Sequence, residues 1–148
     1  MAAPNPKDVA ARVVNELHRG VLRLSGGRVG GDVMGMPVVE LTTIGRKSGH
    51  RRSTMLTSPV QLGDSVVLVA SYGGDDRHPS WYRNLLANPD VEITMRGTSR
   101  KMTARTATPA ERKTLWPQVT ARYGGYAGYQ ERTDREIPLV VLDPATGG

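Results

Sequence analysis

The 148-residue sequence contains no cysteine and no phenylalanine, and aromatic residues make up only 5% of it. The absence of cysteine excludes disulfide bonds, thiolate nucleophiles, and zinc or iron–sulfur sites with cysteine ligands. A chain of this length is expected to form one domain. No apolar run approaches the roughly 20 residues that span a bilayer, and the N-terminus lacks the apolar core of a signal peptide. We therefore expect a cytoplasmic protein that is soluble or at most peripheral to a membrane.

Acidic residues are also scarce, because 14 Asp and Glu stand against 20 Lys and Arg, which gives a net charge of +6. Most of the cations are arginine, whose planar guanidinium suits bidentate contact with phosphate or carboxylate. The charge therefore predicts an anionic partner: a nucleic acid, an anionic membrane surface or an acidic small molecule. The three histidines show no metal-ligand spacing, so no metal site is expected.

Two segments precede the strand-rich part of the chain. Apolar residues recur at helical spacing over residues 7–24, among several basic side chains, and predict an amphipathic helix. Such a helix packs on the domain, which we favour, or lies on an anionic membrane. Five glycines within residues 25–35 predict a linker or loop. The chain therefore divides into an N-terminal helix and linker, residues 1–36, and a main domain, residues 37–148.

Strand signals dominate the main domain. Hairpin turns are predicted at Gly63-Asp64 and at Arg96-Gly97-Thr98, and a capping box of Thr108 and Glu111 starts a helix that runs toward Arg122. The predicted strands are 37–44, 52–61, 65–71, 91–95, 99–107 and 137–142, and a further helix is predicted at 79–88. Because regular βαβ alternation is absent, the pattern predicts an α+β, mainly β protein: an antiparallel sheet or small barrel with flanking helices.

The loop Gly45–Arg52 is suited to binding an anion. It carries four cations and no acid, and its two glycines let backbone N–H groups approach a ligand. The alternative is a solvated hairpin tip, and the combination of glycine, hydroxyl and guanidinium groups favours phosphate binding.

The aromatic side chains all lie between residues 72 and 129. Tyr123, Tyr126 and Tyr129 recur at a spacing of three, on one side of a turn or helix, where they can cover a substrate. No nucleophile elbow, dinucleotide fingerprint or hydrolytic acid pair is present. This combination favours a bound cofactor as the carrier of the chemistry.

Four segments, in their order along the chain, resemble those of a known family. The segments are ELTTIGRKSGHRRSTML at 40–56, VVLVASYGG at 66–74, HPSWYRNLLANPDVEI at 78–93, and WPQV at 116–119 followed by YGGYAGYQERTDREIPLVVLDP at 123–144. Together they closely resemble the actinobacterial deazaflavin-dependent nitroreductases and F420H2-dependent quinone reductases. The resemblance runs from about residue 37 to 144 and implies a split β-barrel of the FMN-binding type. It also implies hydride transfer from the reduced deazaflavin coenzyme, F420H2, to a quinone or nitro compound.

The resemblance assigns roles to individual residues. It implies that the phosphate and acidic tail of coenzyme F420 are held by Arg46, Lys47 and Ser48. It implies a wall beside them formed by Arg52, Ser53, Thr54, Met55, Leu56 and Thr57. The deazaflavin ring would be lined by Val69, Ala70, Ser71 and Tyr72, and further cofactor contacts would come from Ser80, Trp81, Tyr82, Asn84 and Tyr126. The catalytic candidates are Tyr123, Tyr126, Tyr129 and Ser71, and the residues leave the proton donor open between a tyrosine, the serine and water.

Two other functions remain open at this point. An FMN-dependent split-barrel reductase is the first, and the basic loop for an acidic tail argues against it. A non-enzymatic nucleic-acid-binding domain is the second, since arginines interleaved with tyrosines suit single strands. No nucleic-acid-binding module is recognised, so no nucleic-acid partner is expected. The oligomeric state and any contact of the N-terminal helix with a membrane are left open.

Overall fold

The computed structural model describes residues 32–146, so the helix predicted at 7–24 and most of the linker lie outside the described residues. The strands are β1 (Asp32–Val33), β2 (Met36–Ile44), β3 (Arg51–Thr57), β4 (Val60–Leu62), β5 (Ser65–Val69), β6 (Asp90–Met95), β7 (Thr98–Thr106) and β8 (Leu139–Pro144). The helices are α1 (Ser80–Ala87), α2 (Pro109–Arg122) and α3 (Gly125–Glu131), and a 3₁₀ turn spans Tyr72–Gly74. The mainly β, α+β class predicted from the sequence is confirmed.

All eight strands of the described part belong to one antiparallel sheet. Its order is β1-β2-β6-β7-β8-β5-β4, and β3 pairs with β2 off this path. β2 therefore has β3 and β6 as neighbours, whereas β5 lies between β4 and β8. The β2–β3 hairpin and the β4–β5 hairpin therefore lie toward opposite ends of this strand order, with β6, β7 and β8 between them.

The central strands are buried on both faces. In β5, Val66 and Leu68 belong to one hydrophobic cluster, whereas Val67 and Val69 belong to a second one. This alternation follows from the two-residue period of a strand. Leu85 of α1 lies in the first cluster, and Leu115 of α2 lies in the second. The sheet is thus packed between helices and supplies two core layers from aliphatic side chains and methionine.

Local signals placed the turns and the helix start correctly. Leu62 pairs with Ser65 across the predicted Gly63-Asp64 turn, where Gly63 has a φ of 63°. The second predicted hairpin turns at Arg96-Gly97, and both residues have positive φ. The capping box of α2 is present, because the Thr108 hydroxyl accepts from the backbone N–H of Glu111 while the Glu111 carboxylate accepts from that of Thr108. Pro117 lies inside this helix, which continues to Arg122.

The strand predicted at 52–61 is wrong as one element. The chain turns at Ser58 and Pro59, so that β3 pairs with β2 whereas β4 pairs with β5. The Ser58 hydroxyl donates to the carbonyl oxygens of Val60 and Val67, which fixes this corner. Within residues 32–146, no helix has both the length and the apolar character needed to cross a membrane.

The ends of other elements also differ from the sequence prediction. The predicted linker ends early, since Asp32 and Val33 pair with Pro37 and Met36 in a short hairpin. The predicted strand at 65–71 ends at Val69, where the backbone enters the 3₁₀ turn. Pro79 is the N-cap of α1 and not its first helical residue. The last two differences are of one or two residues, a normal variation at the ends of elements, whereas the linker ends at least four residues early.

Candidate functional site

A cavity of about 760 Å³ opens between the β2–β3 hairpin, the end of β5, the start of α1 and α3. This volume lies within the range of small-molecule and cofactor sites. Most of the predicted site residues line it: Arg46, Lys47, Ser48, Arg52, Ser53, Thr54, Met55, Leu56, Thr57, Val69, Ser71, Tyr72, Ser80, Trp81, Asn84, Tyr123, Tyr126 and Tyr129. The fold therefore brings four separate sequence segments to one cavity.

The loop between β2 and β3 forms the cationic end of the cavity. Its ends are closed by hydrogen bonds from Gly45 N to His50 O at 2.7 Å and from Gly49 N to Gly45 O at 2.8 Å. Gly49 has a φ of 73°, which favours glycine. A Cβ atom at Gly45 would lie 2.7 Å from the Ser48 hydroxyl oxygen. The loop therefore favours glycine at position 49 for its backbone conformation, and a side chain at position 45 would displace the Ser48 hydroxyl.

Asn84 holds this loop from α1. Its Oδ1 atom accepts from the backbone N–H of Arg46 at 3.2 Å and from Arg46 Nη1 at 2.8 Å. Its amide nitrogen donates to Thr43 Oγ1 at 3.2 Å. The Asn84 side chain is buried, so these bonds are sheltered from water. These bonds hold the Arg46 guanidinium at the cavity. Within the guanidinium group, Asn84 accepts from Nη1 only, so the other N–H groups of the guanidinium are not used by this contact.

The tyrosines form the opposite end of the cavity. The ring of Tyr126 meets those of Tyr123 and Tyr129 edge-on, at centroid distances of 5.1 and 6.1 Å. The Tyr126 hydroxyl lies 3.4 Å from Thr57 Oγ1, and the hydroxyls of Tyr123 and Tyr129 are 3.5 Å apart. The three rings lie together, as their spacing of three residues predicted. Two of them are on α3, which is helical despite its glycines.

The hydroxyls of Tyr126 and Tyr129 hold their protons at neutral pH, because their pKa values are raised. Burial raises the pKa of Tyr126, and its hydrogen bond with Thr57 lowers that pKa by a smaller amount. Burial and the neighbouring Tyr123 raise the pKa of Tyr129 to about 12. Each hydroxyl is therefore a neutral hydrogen-bond donor, suited to an acceptor oxygen on which negative charge develops.

Two predicted site residues do not line the cavity. Ala70 is completely buried in the first core cluster. Tyr82 lies in the same cluster, and its hydroxyl is 2.8 Å from Thr106 Oγ1. Tyr82 therefore does not reach the cavity as the resemblance implied, because it lies three residues before Leu85 on the buried face of α1. Leu86 of the same helix is 58% exposed.

Trp81 contacts both the hydrophobic core and the cavity. Its half-buried indole packs against the first core cluster and also lines the cavity. Trp116 lies against the second cluster with the Arg112 guanidinium 4.6 Å from the centre of its ring.

Seven lining residues were missed by the sequence analysis: Val33, Met34, Met36, Thr43, Gly45, Gly73 and Pro79. Gly45, Gly73 and Pro79 adjoin predicted site residues, and Thr43 lies two residues before the predicted loop, so a wider margin around each motif would have included all four. The others belong to the β1–β2 hairpin, which sequence reasoning assigned largely to the linker. Met34 at its tip is 66% exposed and gives the cavity mouth an apolar edge. No local signal indicated that this hairpin would fold against the tyrosines.

The curled antiparallel sheet and its cavity define a split-barrel protein of the FMN-binding-like type. A solved F420-H2-dependent reductase is 40% identical, with a TM-score of 0.66 over 72% of this chain and 94% of that one. A structure described as a domain-swapped dimer is 34% identical, with a TM-score of 0.67 over 88% and 98% of the two chains. A heme storage protein of Vibrio cholerae shares the fold alone, at 18% identity and a TM-score of 0.53 over 74% and 82%.

The sequence narrows this class to one family. The family model for F420H(2)-dependent quinone reductases matches residues 14–144. An F420H(2)-dependent quinone reductase of Mycobacterium tuberculosis is 42% identical over 130 residues, which cover 85% of this chain and 87% of the relative. A putative second one from that organism is 35% identical over 109 residues, covering 74% and 91%. The chain belongs to the F420H(2)-dependent quinone reductase family, which confirms the resemblance seen in the motifs.

Proposed function

We propose that this protein is an F420H2-dependent reductase that transfers a hydride from the reduced cofactor to a quinone. The observation that carries the proposal is the distribution of cationic and aromatic side chains along the cavity. Arg46, Lys47 and Arg52 line the cavity at the start of β3, whereas Tyr126, with Tyr123 and Tyr129 around it, contacts Thr57 at the end of that strand. Coenzyme F420 joins a deazaflavin ring to a phosphodiester and a chain of glutamates. The donor set therefore fits the group, with cations for the tail and the lining side chains of Val69, Ser71 and Tyr72 for the ring.

The chain's own residues bind and orient the reactants. When bound, the reduced deazaflavin supplies the hydride. Arg46 and Lys47 attract the anionic tail, and the Ser48 hydroxyl adds a hydrogen-bond donor. The side chains of Met55, Leu56 and Val69 give the cavity apolar walls that exclude water from the reacting atoms.

The tyrosine end of the cavity takes the acceptor. Reduction of a quinone to a quinol needs one hydride and one proton. A neutral Tyr126 or Tyr129 hydroxyl donates a hydrogen bond to the quinone oxygen and stabilises the charge that develops there. The proton that completes the quinol comes from a tyrosine, from Ser71 or from water. Nitro compounds are a second acceptor class under the same proposal, because their oxygens accept the same hydrogen bonds.

The proposal is tested by binding and turnover with the purified protein. Titration with F420 and with FMN, followed by oxidation of F420H2 in the presence of menadione, is expected to give F420 binding and quinone-dependent turnover. Binding of FMN without F420 would instead support an FMN-dependent split-barrel reductase. Salt-sensitive binding of single-stranded nucleic acid without affinity for F420 would support a nucleic-acid-binding domain.

A matched pair of double variants tests the assignment of the loop. Replacing Arg46 and Lys47 by alanine removes two cations at the cavity, whereas replacing Arg100 and Lys101 removes the same two residue types from β7, outside the cavity lining. The first double variant is expected to weaken F420 binding strongly and the second to leave it nearly unchanged. Equal affinities would show that the loop is only a solvated turn.

A further inference from the structure

The turn after β5 has an unusual backbone. Tyr72, Gly73 and Gly74 all have positive φ, at 46°, 66° and 84°. Left-handed conformation is costly for a residue with a side chain, so Tyr72 keeps it only if its surroundings over-determine it. Within the turn itself, Gly74 N donates to Ser71 O at 2.9 Å and Asp75 N donates to Tyr72 O at 3.2 Å.

The side chain of Arg135, from the segment between α3 and β8, binds the backbone of this turn. Its Nη2 donates to Ser71 O at 2.9 Å and to Ala70 O at 3.2 Å, and its Nε donates to Asp75 O at 2.8 Å. Its Nη1 lies 3.2 Å from His78 Nδ1. One guanidinium therefore holds three carbonyl oxygens that flank the left-handed residues, together with the segment that leads into α1.

Arg135 is also tied to the helix that carries the tyrosines. Gln130 of α3 donates from Nε2 to Arg135 O at 2.7 Å, and its Oε1 accepts from Ile137 N at 2.9 Å. The turn touches α3 directly, because a Cβ at Gly74 would lie 2.7 Å from Tyr129 O. The two walls of the cavity, the turn and the tyrosine helix, thus meet at Arg135.

We propose that Arg135 is a positioning residue that holds Ser71, Tyr72 and Gly73 as the cavity wall against which the cofactor ring lies. The assignment of the ring to this wall rests on the proposed function. Arg135 itself does not line the cavity, so it acts through the turn. Lysine cannot replace it, because an ammonium group is a single point of donation whereas the guanidinium reaches oxygens in several fixed directions.

The first test uses the protein without cofactor. In Arg135→Lys, the amide hydrogens of Gly74 and Asp75 are expected to exchange with solvent at least tenfold faster than in the wild-type protein, at equal temperature below the unfolding transition. The control is Arg105→Lys, whose guanidinium binds the Glu111 and Asp143 carboxylates instead of this turn. It is expected to leave the exchange of those two amides unchanged. Unchanged exchange in Arg135→Lys would overturn the proposal whether or not the protein binds F420.

The second test uses turnover with F420H2 and menadione. Arg135→Lys is expected to lower kcat about tenfold or more, since small displacements of a ring-binding wall have large effects on rate. It is also expected to change the absorption spectrum of bound F420, which loss of stability alone would not do. In Arg135→Ala, millimolar methylguanidine is expected to restore part of kcat, whereas methylammonium is not. Full activity with an unchanged spectrum in the lysine variant would overturn the proposal, whereas no F420 turnover in the wild-type protein would refute the proposed function instead.

Discussion

A substitution at the buried amide of Asn84 can change the charge at the cationic end of the cavity while the β2–β3 loop stays in place. In Asn84→Asp, the carboxylate can keep both hydrogen bonds from Arg46, and the Thr43 hydroxyl can rotate to donate to it. The loop is then held in place while the Arg46 charge is neutralised at a distance of 2.8 Å. We therefore expect a protein that melts near the wild-type temperature but binds F420 weakly.

The size of the effect follows from the electrostatics of the site. Two unit charges about 4 Å apart interact by roughly 1 kcal/mol in bulk water and by roughly 4 kcal/mol at an effective dielectric constant of about 20. Arg46 is half-buried, so its attraction for an anion lies between these limits. Since each 1.4 kcal/mol is a factor of ten, the dissociation constant is expected to rise by about tenfold to one hundredfold.

The assay is a fluorescence titration of F420 at low and high salt, together with a thermal melt. The matched control is Asn88→Asp, which adds the same charge at the C-cap of α1, outside the cavity lining. Asn88→Asp is expected to change the dissociation constant less than twofold. If Asn84→Asp melts normally and binds F420 as tightly as the wild-type protein does, the Arg46 charge has no part in cofactor binding and the electrostatic reasoning is refuted.

Three further predictions follow from the contacts described above. Tyr126→Phe removes a hydroxyl from the acceptor end and is expected to lower kcat more than it weakens F420 binding; the opposite result in steady-state kinetics would make Tyr126 a cofactor clamp. Thr108→Ala removes the N-cap of α2 and is expected to cost about 1 kcal/mol of unfolding free energy, measured by urea denaturation, with Thr114→Ala on an exposed face as the control. The Arg105 guanidinium lowers the pKa of the Glu111 carboxyl to about 2. The stability that the Glu111 carboxylate adds to the fold is therefore present above its ordinary pKa of 4.5 and is lost as the pH falls toward 2. The unfolding free energy of Glu111→Gln in urea is expected to depend less on pH in this window than that of the wild-type protein.

Features specified by neighbouring residues could be predicted from the sequence, and those specified by distant contacts could not. The turns at Gly63 and Gly97 and the capping box at Thr108 depend on local backbone preferences, and all three are present. The break between β3 and β4 depends on the Ser58 hydroxyl meeting Val67 O in another strand. The strand order also departs from the chain order, because β8 inserts between β7 and β5.

The same distinction applies to the site. The loop at Arg46 and the tyrosines of α3 could be predicted because each is a short motif with its own chemistry. Tyr82 was misplaced because a tyrosine near a helix start suits both a ligand and a core, and only the sheet beneath it decides between them. Arg135 gave no local signal at all, since the carbonyls that it binds lie more than 50 residues earlier in the chain.

The two ends of the cavity belong to parts of the chain that can change independently. Arg46 and Asn84 fix the cationic end through the β2–β3 hairpin and α1, whereas Tyr126 and Tyr129 reach the other end from α3. Under the proposed function, mutations in α3 or in the exposed hairpin tip at Met34 are therefore expected to alter which acceptor enters without disturbing the contacts of Arg46 with Asn84. Such an arrangement would let the choice of acceptor change while the contacts that hold the cofactor stay the same.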